Sequence, residues 1–130
     1  MAWVNPEVML RVMLAEQHGE LTDYGVSTPS DLATRLPFHR LTLVRGADDT
    51  LTDVTVVDIE SFAGSRALAG QEAEAIRTVM LALQGKADAE NRWLIDSVTT
   101  ILRPVWLDYR NPDIHRYVAT YQLATRPLMV

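Results

Sequence analysis

A chain of 130 residues with 48% hydrophobic and 22% charged residues has globular composition, well away from the disordered class. Its length suits one domain, residues 1–130, with a core that needs no staples. The lack of cysteine excludes disulfides, thiolate metal sites and thiol nucleophiles, and a formal charge of −5 argues against broad phosphate-backbone binding, which needs a clustered basic surface.

Met1-Ala2-Trp3-Val4-Asn5-Pro6-Glu7 lacks the basic segment and apolar run of a secretory signal. No stretch is apolar for long enough to span a bilayer, so no membrane partner is expected. Asn5-Pro6-Glu7 reads as a helix start, with Asn5 capping and Pro6 at the first helical position. Val8, Val12, Met9, Met13, Leu10 and Leu14 give this helix a broad apolar face as far as His18-Gly19. Residues 24–29 read as a short extended piece, because Pro29 disfavours helix at Thr28, and residues 30–36 as one or two helical turns stopped by Pro37.

Residues 38–45 are a strand candidate, followed by the turn cluster Gly46-Ala47-Asp48-Asp49-Thr50. Residues 53–62 form a second strand, with Val57, Ile59 and Ser61 on one face and Val54, Val56, Asp58, Glu60 and Phe62 on the other. Its apolar set does not alternate cleanly, which predicts a bulge or two-sided burial near Val56 and Val57. Ser65 caps the strongest helix, residues 66–84, in which Ala69, Ala73, Ile76, Met80 and Leu83 follow helical spacing. Gly85 is placed to follow it, with Lys86 at its negative end. Residues 93–102 and 116–125 are rich in β-branched and aromatic residues and read as an antiparallel strand pair. The expected fold class is α+β: a mainly antiparallel sheet with a long helix packed on one face and a short N-terminal helix.

Chemistry-bearing patterns are sparse. His18, His39 and His115 lie in separate segments without zinc-motif spacing, so no metal site and no cofactor is expected. Gly64 and Gly70 fit no phosphate loop, and Ser61 and Ser65 sit in no nucleophile elbow. Asp58 and Glu60 share a strand face and could form an acid-base pair, although solvent-facing positions, or Asp58 paired with an arginine such as Arg66, explain them more simply. Asp48, Asp49 and Asp53 make an acidic hairpin tip. The connector at 103–113 concentrates Trp106, Asp108, Tyr109 and Arg110, and its aromatic and arginine side chains are of the types enriched at binding hot spots. It leans toward an interface, with Asn111-Pro112-Asp113 as a surface turn.

The Asn5-Pro6 helix start, the run Asp58-Ile59-Glu60-Ser61-Phe62-Ala63-Gly64-Ser65-Arg66, the alanine-rich helix after it, Pro104-Val105-Trp106-Leu107 and Arg116-Tyr117-Val118-Ala119-Thr120-Tyr121-Gln122-Leu123 together resemble the tail terminator proteins of long-tailed, non-contractile (siphovirus-type) bacteriophages. The likeness is to versions from phages of actinobacteria, which the arginine-rich composition also suits: Lys86 is the only lysine. The resemblance implies a homohexameric ring in the neck region of the virion, assembled in the host cytoplasm. Such a ring caps the head-proximal end of the tail tube, stops its polymerisation and joins it to the head connector. The implied partners are further copies of the chain, the major tail tube protein and the head-tail connector or stopper protein, with DNA passing through the lumen without specific binding.

The resemblance implies no enzymatic activity and no catalytic residues. An acidic rim formed by Asp48, Asp49 and Asp53 would repel DNA and let it slide. Other readings remain open on the residues alone: a neighbouring neck or head-tail joining protein, a small non-viral α+β adaptor presenting the 103–113 connector, and a hydrolase using Asp58, Glu60 and His115.

Overall fold

The computed structural model describes residues 5–18, 23–25, 27–48, 53–88 and 92–128. Along the chain lie α1 (Pro6–His18), β1 (Asp23–Gly25), a 3-10 turn (Leu32–Thr34), β2 (Phe38–Asp48), β3 (Asp53–Ala63), α2 (Arg66–Ala82), β4 (Trp93–Leu107) and β5 (His115–Pro127). The strands form one sheet in the order β1-β2-β3-β5-β4. Only the β1-β2 pair is parallel. The chain is α+β, with α1 and α2 on one face of a mainly antiparallel sheet.

Local chemistry sets the helix ends. The Asn5 side-chain oxygen accepts the Glu7 N–H at 3.0 Å, satisfying a donor that the first turn would leave without a partner. Among the described residues of α1, Met9, Leu10, Met13 and Leu14 are buried, whereas Val8 and Val12 face outward, so the apolar face is narrower than the sequence suggests. Ser65 caps α2, accepting the Leu68 N–H at 3.2 Å. Gly85 then takes φ +84, a conformation that costs other L-residues about 1–2 kcal/mol. Its N–H donates to Ile95 O at 2.7 Å and ties the helix end to β4.

The main core lies between helices and sheet. Ile76 and Met80 of α2, with Leu83 after it, meet Leu41, Val57, Ile59, Ile95, Ala119, Tyr121 and Leu123, with the buried stripe of α1 beside them; Ala69 and Ala73 are buried on the same helix. Close approach is supported at Gly70, where an added Cβ would come within 3.2 Å of the Tyr117 ring. Burial pushes the Tyr121 phenol up to about 12. A second, smaller cluster of Leu32, Phe38, Phe62 and Ile114 forms on the opposite face, with Leu36 and Tyr109 against it. Register explains the split: Leu41 and Ile59 pair under the helices, whereas Phe38 and Phe62 pair toward the other side.

Three strand expectations change in detail. β2 continues through Gly46 to Asp48, which pairs with Asp53, so the anticipated turn at 46–48 is strand. The irregularity expected near Val56 and Val57 lies opposite them, where Val44 is the extra residue between Leu43 and Arg45. Two-sided burial is present as well, since Thr55, Val56 and Val57 are all buried. β4 runs five residues past Leu102 to Leu107, so the first half of the anticipated connector is strand. Proline is tolerated there because β4 is an edge strand among the described strands and its register shifts between Leu102 and Val105, around Pro104.

Candidate functional site

The connector proper follows Leu107 and ends where β5 begins at His115. Asn111 organises it: its side chain accepts the Asp113 N–H at 2.9 Å and its carbonyl accepts the Ile114 N–H at 3.1 Å, the local bonding that makes asparagine a turn former. Ile114 is buried. The Tyr109 ring meets Phe62 edge-on at 5.2 Å, so the small cluster anchors the connector on the sheet.

Beneath Tyr109 lies a charged assembly. Glu60 is only 6% exposed. Its Oε1 accepts Arg40 Nε at 2.6 Å and also contacts Arg40 Nη2, while its Oε2 accepts Arg116 Nη1 at 3.1 Å. The Arg116 Nη2 donates to Asp108 O at 2.7 Å, and Arg40 Nη1 donates to Thr28 Oγ1 at 2.9 Å. The guanidinium carbons of Arg116 and Arg110 lie 5.5 and 5.8 Å from the Tyr109 centroid, within cation-π range. Thr28, Arg40, Asp108, Tyr109, Arg110 and Arg116 line a cavity of about 380 Å³. Three arginines there face two carboxylates, one of them buried and committed, which leaves the opening electropositive. Guanidinium does not deprotonate in proteins, so the set is suited to holding a carboxylate or phosphate rather than to moving protons.

Trp106 stands apart from this cavity. It pairs in register with Tyr117 on the helix side of the sheet, under the Arg66 guanidinium at 4.5 Å. Its indole N–H has no hydrogen-bond partner among the described residues, although a buried indole donor normally finds one. Along the same strand, Ile101, Leu102, Val105 and Leu107 are 55, 41, 37 and 45% exposed. Among the described strands β4 lies at the sheet edge, and an apolar edge strand is a template for another chain. This edge is hidden in the sequence because Arg103-Pro104 reads as the start of a loop; the β-forming run Val105-Trp106-Leu107 is the signal for it.

The fold thus brings Asp108, Tyr109 and Arg110 together and adds Arg40, Arg116 and Glu60. Asp48 lies at the far end of β2 from Phe38, about 30 Å away at the usual strand rise. Asp49 falls outside the described residues. Asp58 and Glu60 do share a face, but neither has the expected surroundings: Glu60 is buried, and Asp58 accepts Thr120 Oγ1 at 2.6 Å rather than pairing with Arg66. His115 pairs with Ala63 on the helix side by strand alternation, so the sheet separates it from these carboxylates. The expectation of isolated histidines fails for His18 and His39, whose ring centroids are 5.7 Å apart.

No family model matches the chain, and no curated protein matches it. Among solved structures, it shares its fold with a chain of the structure described as "Virion of native gene transfer agent (GTA) particle". The two are 18% identical, with 93% of this chain and 92% of that chain covered and a TM-score of 0.52. At that identity the likeness establishes the fold.

Proposed function

We propose that the chain is a structural protein of a phage-type virion and, within it, the tail terminator: a homohexameric ring that caps the head-proximal end of the tail tube, stops its growth and joins it to the head connector. The observation that carries this reading is the fold shared along almost the whole of both chains with a component of a virion particle. Two surface features support it. A closed ring uses heterologous contacts, so each subunit needs two different patches, and the apolar β4 edge differs in chemistry from the arginine-lined cavity. A carboxylate from a neighbouring copy, the tube protein or the connector protein suits the Arg40, Arg110 and Arg116 opening. The net charge of −5 fits a lumen through which DNA passes without being held. The reading assigns no reaction to the chain.

Mass measurement under native conditions, with negative-stain microscopy, tests the assembly. The expected species is a closed ring of about six copies of the 14.6 kDa chain, alone or on the ends of added tail tubes. A stable dimer that gives no rings with tubes present would contradict it.

A further inference from the structure

On the helix-covered face, away from the arginine cavity, three side chains converge from three elements: His18 ends α1, His39 is the second residue of β2, and Glu72 lies on α2. Their donor atoms all lie within 4.8 Å of one another. His39 is fully buried, and the side chains of His18 and Glu72 are 12% and 22% exposed. The His39 Nε2 has no hydrogen-bond partner among the described residues and points to Glu72 Oε1 at 3.6 Å, beyond hydrogen-bond length. His18 Nε2 stands 4.0 Å from Glu72 Oε2.

The opposite nitrogen of each ring is already engaged. His39 Nδ1 is 2.8 Å from Ser61 Oγ, and His18 Nδ1 contacts the Tyr24 hydroxyl. Tyr24 also stacks on His39, with centroids 5.4 Å apart. Burial lowers the His39 pKa, against the opposing charge of the nearby Glu72 carboxylate.

An ordinary buried ion-pair network would close to hydrogen-bond distances, because an unsatisfied buried polar atom costs about 1–3 kcal/mol. Here the buried His39 Nε2 stands beyond hydrogen-bond length of Glu72, and each ring is oriented by an oxygen on its other nitrogen, the arrangement that fixes metal-ligating histidines. Zinc bonds to nitrogen and oxygen of about 2.0–2.2 Å place tetrahedral ligand atoms roughly 3.3–3.5 Å apart. The gaps of 3.6 and 4.0 Å, which run to different oxygens of Glu72, and the 4.8 Å that bounds the whole donor set must therefore shorten on binding, by rotation of the two partly exposed side chains. Glu72 also lines a cavity of about 330 Å³ with Leu36, Pro37, Ala63, Gly64, Leu68 and Gln71, so one of the three converging side chains borders open space.

We propose that His18 Nε2, His39 Nε2 and the Glu72 carboxylate form a binding site for one divalent transition-metal ion of the zinc class, with a fourth position open to water. Bound there, the ion ties the end of α1 to β2 and α2 in a chain that has no disulfide to do so.

The test uses the full 130-residue chain freed of metal with a chelator, then titrated calorimetrically with zinc, melted with and without zinc, and loaded with cobalt(II) for visible absorption. The variants are Glu72→Gln and His18→Gln, both at partly exposed positions, and His115→Gln as a control. Far-ultraviolet circular dichroism without metal establishes that each is folded. One zinc per chain, a higher Tm with zinc and tetrahedral cobalt bands are expected, with affinity weakened at least about tenfold in Glu72→Gln and His18→Gln and unchanged in His115→Gln. Absence of zinc binding by the parent chain, or parent-like affinity in folded Glu72→Gln and His18→Gln, overturns the site.

Discussion

Replacing Phe62 with alanine is expected to lower folding stability by about 3–5 kcal/mol, a large part of the ordinary 5–15 kcal/mol margin. Phe62 is fully buried, packs with Phe38 at 6.3 Å and meets Tyr109 edge-on at 5.2 Å. Its removal leaves a cavity in a four-residue cluster that has little else to collapse inward. The same change releases Tyr109, which orients Arg110 and Arg116 around the electropositive opening. Urea denaturation gives the stability loss directly, and a loss below about 1 kcal/mol would mean that the connector is held by something other than this cluster.

The paired substitution Leu102→Asp and Leu107→Asp is expected to abolish ring formation while leaving the monomer folded. Both side chains are more than two-fifths exposed, so the monomer loses little packing and only strand propensity, about 1–2 kcal/mol for the pair. In a ring each carboxylate would enter an apolar contact without a partner, and central interface positions typically contribute 2 kcal/mol or more. Native mass separates the two effects: the variant should run as a monomer with an unchanged circular dichroism spectrum. Rings formed at the parent concentration by the doubly substituted chain would remove the β4 edge from the interface.

Much of the fold is written locally. Ser65, the stripe from Ala69 to Met80 and Gly85 specify α2 through capping, periodicity and a positive φ, all short-range effects. The strand pair carrying β4 and β5 is equally legible from its β-branched and aromatic content. Pro104 concealed the end of β4, because proline reads as a breaker unless its strand is known to be an edge, and edge position is a tertiary fact. Gly46 hid the end of β2 in the same way. Burial of Glu60 depends on Arg40, Arg116 and a connector folded over them; strand alternation supplies its face but not its cover. The gathering of His18, His39 and Glu72 leaves no trace in spacing, since each arrives on a different element.

The central claim is that this chain ends a tail tube, and tube capping tests it most directly. Major tail tube subunits are allowed to polymerise with and without the purified chain, and tube lengths and ends are imaged by electron microscopy. Shorter tubes with a ring at one end only are expected, and restored growth when the chain carries Leu102→Asp and Leu107→Asp. Tubes of unaltered length with bare ends, or free rings that never occupy a tube end, would contradict it.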